Sequence, residues 1–115
     1  MDVEAILKAL ANPVRRDILL WLKDPATHFG AQPEGYPVEK GVCVTRILEK
    51  TDLSQSTVST YLAMLQRAGL LTSHRVGQWT FYRRDEALIN EFMSTFGKQL
   101  CQMLVKRGDY EGGGD

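Results

Sequence analysis

Residues 51–84 read TDLSQSTVSTYLAMLQRAGLLTSHRVGQWTFYRR, and the fold depends on this stretch. Ser54 is a residue type that caps the amino terminus of a helix, and Gly69 suits the left-handed conformation that often follows a helix. Between them, Val58, Leu62 and Leu65 recur at helical spacing. The pattern predicts a helix with one buried face between Ser54 and Gly69.

The opposite face of this helix is polar and carries no charge; its residues are Gln55, Ser56, Ser59 and Thr60. A shorter helix precedes it, with Val44, Ile47 and Leu48 facing inward. Only residues 51–53 separate the two helices. A short helix, a tight turn and a second helix with a polar outer face are typical of a helix-turn-helix.

Two strand-like runs follow, Leu70–Val76 and Trp79–Arg84, joined by Gly77 and Gln78 as a tight hairpin. A long helix is then predicted from about Glu86 to Arg107. Its apolar residues cover more than one stripe, so it needs two surfaces to bury it: the protein's own core and a partner subunit.

The chain begins with two further predicted helices. Asp2 caps the first, and Pro13 occupies the first turn of the second, which ends near Asp24. Residues 24–41 contain three of the four prolines and lack periodicity, which predicts an extended loop. Phe29 and Tyr36 are apolar anchors that could fold this loop back onto the body.

Composition limits the classes of function. The chain has 115 residues, enough for one domain, and equal numbers of acidic and basic residues. Residues 53–84 nevertheless hold four arginines and no acid, which indicates a surface that faces a polyanion. With only two cysteines, we expect no disulfide framework and a location in the reducing cytoplasm. No apolar run is long enough for a membrane span, and the amino terminus lacks the features of a secretory signal.

The polar helix face has the chemistry to contact DNA. Gln, Ser and Thr side chains can both donate and accept hydrogen bonds at base edges in the major groove, whereas acids there would be repelled by phosphate. The helix amino terminus and the hairpin tip add phosphate contacts. The predicted DNA-binding residues are Ser54, Gln55, Ser56, Thr57, Ser59, Thr60, Tyr61, Arg67, Arg75 and Gln78. No enzyme motif is evident; His28 near Asp24 comes nearest to an acid–base pair.

Two segments carry a family resemblance. LSQSTVSTYLAMLQRAGLLTSHRVGQWTFYR resembles the recognition helix and wing of the ArsR/SmtB family of bacterial winged-helix repressors, and ALANPVRRDILLWL resembles the family's opening segment. The resemblance implies a mostly α-helical winged helix-turn-helix over residues 1–107, a homodimer built on the terminal helices, and an inverted-repeat operator from which an inducer releases the repressor. A flexible tail is expected at 108–115. The expected dimerisation residues are Ile6, Leu7, Phe92, Phe96, Leu100 and Leu104.

The inducer site departs from the family pattern. Metal-sensing members carry Cys-x-Cys-Asp before the recognition helix, and here Cys43 matches the first cysteine while Thr45 and Arg46 replace the other ligands. One thiol beside an arginine is a poor metal site, so no metal or other cofactor is predicted. Cys43 and Cys101 are instead candidate redox sensors, with buried structural cysteines as the plainer interpretation. An oxidant, a small molecule or no inducer all remain open. So do a metal-sensing repressor with a non-standard site and a winged-helix protein-interaction module.

Overall fold

The computed structural model describes the backbone of residues 1–111 and the side chains of residues 1–101, apart from that of residue 34. It is mostly helical with one small antiparallel sheet, which confirms the predicted fold class. Two short 3-10 turns lie at Pro33–Gly35 and Val38–Lys40. The other elements are α1 (Val3–Leu10), α2 (Pro13–Lys23), α3 (Pro25–His28), β1 (Val42–Cys43), α4 (Val44–Thr51), α5 (Gln55–Arg67), β2 (Leu71–Val76), β3 (Trp79–Arg84) and α6 (Glu86–Glu111).

The core lies where the helices converge on the inner face of the sheet. Ile6 of α1, Ile18 of α2, Ile47 of α4 and Leu62 of α5 are completely buried, and Phe81 of β3 is almost completely so. Full burial of one such side chain contributes about 1.5–3 kcal/mol. The predicted helix faces therefore meet in a single apolar cluster, and α5 is held from its buried side.

The predicted helix starts are confirmed. The Asp2 side chain accepts a hydrogen bond from the N–H of Ala5, and Ser54 accepts one from the N–H of Thr57. At the second helix, the cap is Asn12, the residue directly before Pro13; its side chain accepts a hydrogen bond from the N–H of Arg15. Each cap satisfies a backbone donor that the helix itself leaves unpaired.

The sheet has three strands in the order β1-β3-β2. The predicted hairpin is present, with Val76 opposite Trp79 and a two-residue turn between them. β2 begins at Leu71, one residue later than expected. The strand β1 was not predicted: Val42 pairs with Tyr82 and Cys43 with Phe81. Two residues are too short to show the alternation by which strands are recognised in a sequence.

The final helix is longer than predicted. It continues past Arg107 to Glu111, so residues 108–111 are helical rather than part of a flexible tail. The rest of the expected tail, residues 112–115, lies outside the described residues. Phe92 is buried on the body, while Met93 and Leu100 expose 62% and 44% of their surface. Across the described part of the chain, no helix has the length and hydropathy needed to span a membrane.

The segment 24–41 is folded onto the body. Phe29 is buried, and the Tyr36 ring stacks on Phe81 with 4.0 Å between ring centres, so both predicted anchors are confirmed. The sequence pattern did not reveal Gln32, whose side chain is buried within the segment. Its amide donates to the carbonyls of Tyr36 and Gly41, which adds polar contacts to the apolar anchors that hold the loop.

Candidate nucleic-acid interface

The turn between α4 and α5 is short and internally bonded. Asp52 adopts the left-handed conformation (φ 58°, ψ 28°), and its N–H donates to the carbonyl of Leu48 at 3.2 Å. The Thr51 hydroxyl donates to the same carbonyl and accepts from the N–H of Leu53. Asp tolerates the left-handed region better than most residues, because its short polar side chain can bond locally. This turn fixes the direction in which α5 leaves α4.

The amino terminus of α5 is held by its own hydroxyls. Ser54 Oγ accepts from the N–H of Thr57 at 3.2 Å and donates to Thr57 Oγ1 at 2.8 Å. Ser56 Oγ lies 3.3 Å from Ser54 Oγ. Ser54 and Thr57 thus serve the structure of the helix start, and any contact with DNA would use their remaining hydrogen-bonding capacity.

The predicted two-sided character of α5 is present. Val58, Leu62 and Leu65 have no exposed surface. On the other side, Gln55, Ser56, Ser59 and Thr60 are all exposed. We call these four residues the recognition face. Thr60 Oγ1 donates to the Ser56 carbonyl at 3.0 Å, so its lone pairs point outward as acceptors.

Tyr61 does not lie with the recognition face. It is half-buried, and its hydroxyl accepts from Asn12 Nδ2 at 3.4 Å. The Arg15 guanidinium carbon lies 5.0 Å from the centre of its ring, within range of a cation–π interaction. Tyr61, a predicted DNA contact, therefore contacts the junction of α1 and α2 instead of joining the recognition face.

The hairpin of β2 and β3, which we call the wing, presents polar side chains at its tip. Arg75 and Gln78 are exposed on either side of Gly77, whose φ of 62° is the left-handed conformation that this turn requires. At the base of the wing, Gln66 Nε2 donates to Ser73 Oγ at 2.9 Å and joins the end of α5 to β2. This side-chain hydrogen bond thus connects α5, the predicted recognition helix, to the wing.

The four arginines of the acid-free segment are not equivalent. Arg67, Arg75 and Arg83 are exposed. Arg84 is largely buried: Nη1 donates to the Leu19 carbonyl at 3.0 Å, and Nε lies 2.8 Å from Glu86 Oε2 without hydrogen-bond alignment. Arg84 therefore stabilises the body, and the positive charge available to a polyanion comes from the other three. Close by on β3, burial raises the pKa of the Tyr82 phenol, which keeps it neutral.

The candidate sensor cysteines differ in accessibility. Cys43 is completely buried, and its N–H donates to Gln32 Oε1 at 2.6 Å, whereas Cys101 is exposed. The nearby Arg46 guanidinium donates to the Ala31 carbonyl and to Glu49 Oε1. Among the described residues, no group of three or more His, Cys, Asp or Glu side chains could hold a metal ion.

The expected dimerisation residues fall into separate groups. Ile6 and Phe92 are buried in the protomer's own core, so the expectation that these side chains face a partner does not fit the structure. Leu7 and Phe96 are half-buried and Leu100 is exposed. The side chain of Leu104 lies outside the described residues. Sequence periodicity marked apolar helix faces correctly, but it could not tell which face the protomer itself covers.

Comparison with known proteins places this geometry in a family. Residues 39–73, from the turn before β1 to the first half of β2, match the model of the bacterial regulatory protein arsR family. An uncharacterised HTH-type transcriptional regulator of Bacillus subtilis, YbzH, is 46% identical over 92 residues, covering 79% of this chain and 91% of the relative. The chain belongs to the ArsR family.

Two other relatives are named for opposite effects on transcription. The arsenical resistance operon repressor of Bacillus subtilis is 30% identical over 67 residues, covering 58% of this chain and 61% of the relative. The transcriptional activator HlyU of Vibrio cholerae is 28% identical over 97 residues, covering 84% and 76%. This chain is therefore a transcriptional regulator by family.

A solved ArsR-like structure extends the comparison to assembly. The homodimeric winged helix-turn-helix DNA-binding domain of Mb0332 from Mycobacterium bovis has a TM-score of 0.58 and 26% identity, covering 96% of this chain and 82% of the other. The winged helix-turn-helix assignment is confirmed by this match together with the observed order of helices and strands.

Proposed function

We propose that this ArsR-family protein is a homodimer that binds an inverted-repeat operator in double-stranded DNA and represses transcription, its own gene included. The observation that carries the proposal is the recognition face: four exposed, uncharged, hydrogen-bonding side chains on a helix whose other side is fully buried. A protein-interaction module would have no need for an acid-free surface beside such a face.

The recognition face suits the major groove. Its hydroxyl and amide groups can donate to and accept from base edges, and the amino terminus of α5 offers backbone N–H groups to phosphate. Arg75 and Gln78 at the wing tip, with Arg67 at the end of α5, would contact the backbone or the minor groove. Ser54 and Thr57 would contribute at the helix start, where they already form the cap.

A symmetric dimer explains why the operator should be an inverted repeat. Two recognition helices reach successive major grooves when they are about 34 Å apart, one turn of the duplex. The homodimeric Mb0332 domain supports this assembly. The exposed Met93 and Leu100, with the half-buried Leu7 and Phe96, are the apolar side chains that a partner would cover. The chromosome is the target, so we place the protein in the cytoplasm.

For the inducer we propose a non-metal signal, either a small organic molecule or an oxidant. The stretch around Cys43 supplies one buried thiol beside Thr45 and Arg46, which is too few ligands and the wrong charge for a thiolate metal site. An oxidant would act first at the exposed Cys101, since exposure favours reaction of a thiol.

The test is selection of bound sequences from a random duplex library, followed by affinity measurements at increasing salt. A repressor that neutralises several phosphates should lose affinity steeply as the salt concentration rises, with a slope of log affinity against log salt that is proportional to the number of phosphate contacts. Failure to enrich any sequence, with no salt-dependent binding, would favour the interaction module instead. Repeating the selection with zinc, peroxide or a chelator tests the inducer class. A reporter gene behind the selected site distinguishes repression from activation.

A further inference from the structure

We propose that Asn12, Arg15 and Tyr61 form a positioning cluster that sets the orientation of α5 relative to α1 and α2, and thereby the half-site spacing that the dimer accepts. The inference rests on the proposed function and deepens it. These three residues are positioning residues, since none belongs to the recognition face.

Arg15 is the centre of the cluster. Its side chain is buried, and it donates from Nε to the Ala9 carbonyl at 2.8 Å and from Nη2 to the Lys8 carbonyl at 3.1 Å. Both carbonyls belong to the last turn of α1, where backbone acceptors lack a partner four residues farther along the helix; the Lys8 carbonyl also accepts from the N–H of Ala11 at 3.2 Å. The same guanidinium packs over the Tyr61 ring, so one side chain of α2 joins the end of α1 to the middle of α5.

Asn12 makes a second connection to the same tyrosine. Its Oδ1 accepts from the N–H of Arg15 at 3.0 Å, and its Nδ2 donates to the Tyr61 hydroxyl at 3.4 Å. The α1–α2 junction therefore contacts Tyr61 in two ways: Arg15 packs on the face of the ring, and Asn12 donates to the hydroxyl. Tyr61 directly follows Thr60 of the recognition face, so any rotation of α5 that moves the tyrosine also moves the groups offered to DNA.

The consequence appears in the dimer. Two recognition helices must match the separation of two half-sites, and a dimer whose helices can tilt would accept more than one separation. If the terminal helices hold the two protomers together, the cluster lies between the dimer contact and the DNA contact. Loosening it should reduce selectivity for spacing while leaving each helix able to recognise its own half-site.

The chain offers a matched control for this test. Arg16 Nη1 donates to the Leu10 carbonyl at 2.6 Å, so Arg16 also bonds to the end of α1, but it is exposed and does not contact Tyr61. Arg15→Met removes the guanidinium that joins α1 to the Tyr61 ring, Tyr61→Phe keeps the ring and removes the hydroxyl that Asn12 contacts, and Arg16→Met removes the neighbouring guanidinium. The duplexes are the library-selected inverted repeat, the same repeat with its halves one or two base pairs closer or farther apart, and a single half-site.

We expect Arg15→Met to bind the selected repeat about tenfold more weakly and Tyr61→Phe about threefold. Both should bind the single half-site like the wild type, both should lose the preference for the selected spacing, and Arg16→Met should retain it.

Circular dichroism and sedimentation check folding and dimerisation; if Arg15→Met does not fold, the result for Tyr61→Phe decides. Equal loss on every duplex, half-site included, would make Tyr61 a DNA contact and overturn the inference, as would an unchanged spacing preference. If the wild type binds no duplex, the proposed function has failed instead.

Discussion

The side-chain oxygen of Gln32 accepts a hydrogen bond from the backbone N–H of Cys43 at 2.6 Å. A residue of the proline-rich segment thus caps the strand that leads into the helix-turn-helix. The Gln32 amide also donates to the Tyr36 and Gly41 carbonyls, so one buried side chain satisfies three backbone groups. The segment 24–41 and strand β1 consequently form one structural unit.

Replacing Gln32 with Ala should lower the free energy of unfolding by about 2–3 kcal/mol, because three backbone groups lose their partner in a buried place. Gln32→Glu should be worse, since a carboxylate would face two carbonyl oxygens. Urea unfolding monitored by circular dichroism measures both. Gln78→Ala, at the exposed wing tip, should stay within about 0.5 kcal/mol of the wild type; an equal effect at both positions would refute the bridging role.

Adding a carboxylate to the recognition face should abolish operator binding. Ser56→Glu or Thr60→Glu would place a negative charge against phosphates and base acceptors, while the exposed position leaves the fold and the dimer intact. Gel-shift titration and sedimentation measure the two properties separately. Ala87→Glu adds the same charge at an exposed site in the first turn of α6 and serves as the control. Retained affinity in both recognition-face variants would remove this helix from its role.

Arg75→Ala should weaken binding to a similar degree on all sequences. The exposed guanidinium at the wing tip is suited to phosphate, so its loss should reduce the slope of log affinity against log salt by about one. Binding isotherms at several salt concentrations, on selected and unrelated duplexes, provide the measurement. A loss confined to one base pair would instead show that Arg75 reads sequence.

Gly69 and Gly97 should respond oppositely to replacement by Ala. Gly69 has φ of 86°, and an added Cβ would lie 2.6 Å from Leu88 Cδ1. The flexible leucine can move, so the left-handed backbone sets the cost, about 1–2 kcal/mol. Gly97 lies within α6 with open space around its Cα, and Ala there should stabilise by about 0.5–1 kcal/mol. Thermal unfolding tests the pair, and the same sign for both would contradict the explanation.

A thiol-specific reagent should label the folded protein at Cys101 first. Cys101 is exposed, whereas Cys43 has no exposed surface and should react only as fast as the protein opens. Mass spectrometry after short labelling distinguishes the sites, and Cys101→Ser should remove the fast reaction. If peroxide releases the protein from DNA, Cys101→Ser should block that release; release blocked only by Cys43→Ser would identify Cys43 as the sensor.

The parts of the fold that follow from local pattern were predictable. Asp2, Ser54 and Gly77 act at the ends and turns where their chemistry suggests, and the recognition face is visible in the alternation of Val58 and Leu62 with polar residues. These features depend on residues within a few positions of each other, so a sequence displays them directly.

The features that escaped prediction depend on residues far apart in the chain. β1 forms because Val42 pairs with Tyr82, forty residues later in the chain. The conformation of segment 24–41 depends on the backbone groups that the Gln32 side chain contacts, among them the Gly41 carbonyl. Tyr61 has the helical spacing of the buried face, three residues after Val58 and four before Leu65, but only the proximity of Arg15 shows what it contacts. Likewise, apolar periodicity identified Ile6 but could not show that the protomer itself buries it.

The third strand also affects how the wing meets its target. β1 pairs with β3 only at Tyr82 and Phe81, so the middle of β3 has a strand on each side, while the turn end of the hairpin is held by the pairing of β2 with β3 alone. The approach angle is therefore largely set before any encounter, and little ordering entropy remains to be lost on association. Because β1 does not reach the turn end of the hairpin, side chains there could change without disturbing the pairing of β1 with β3.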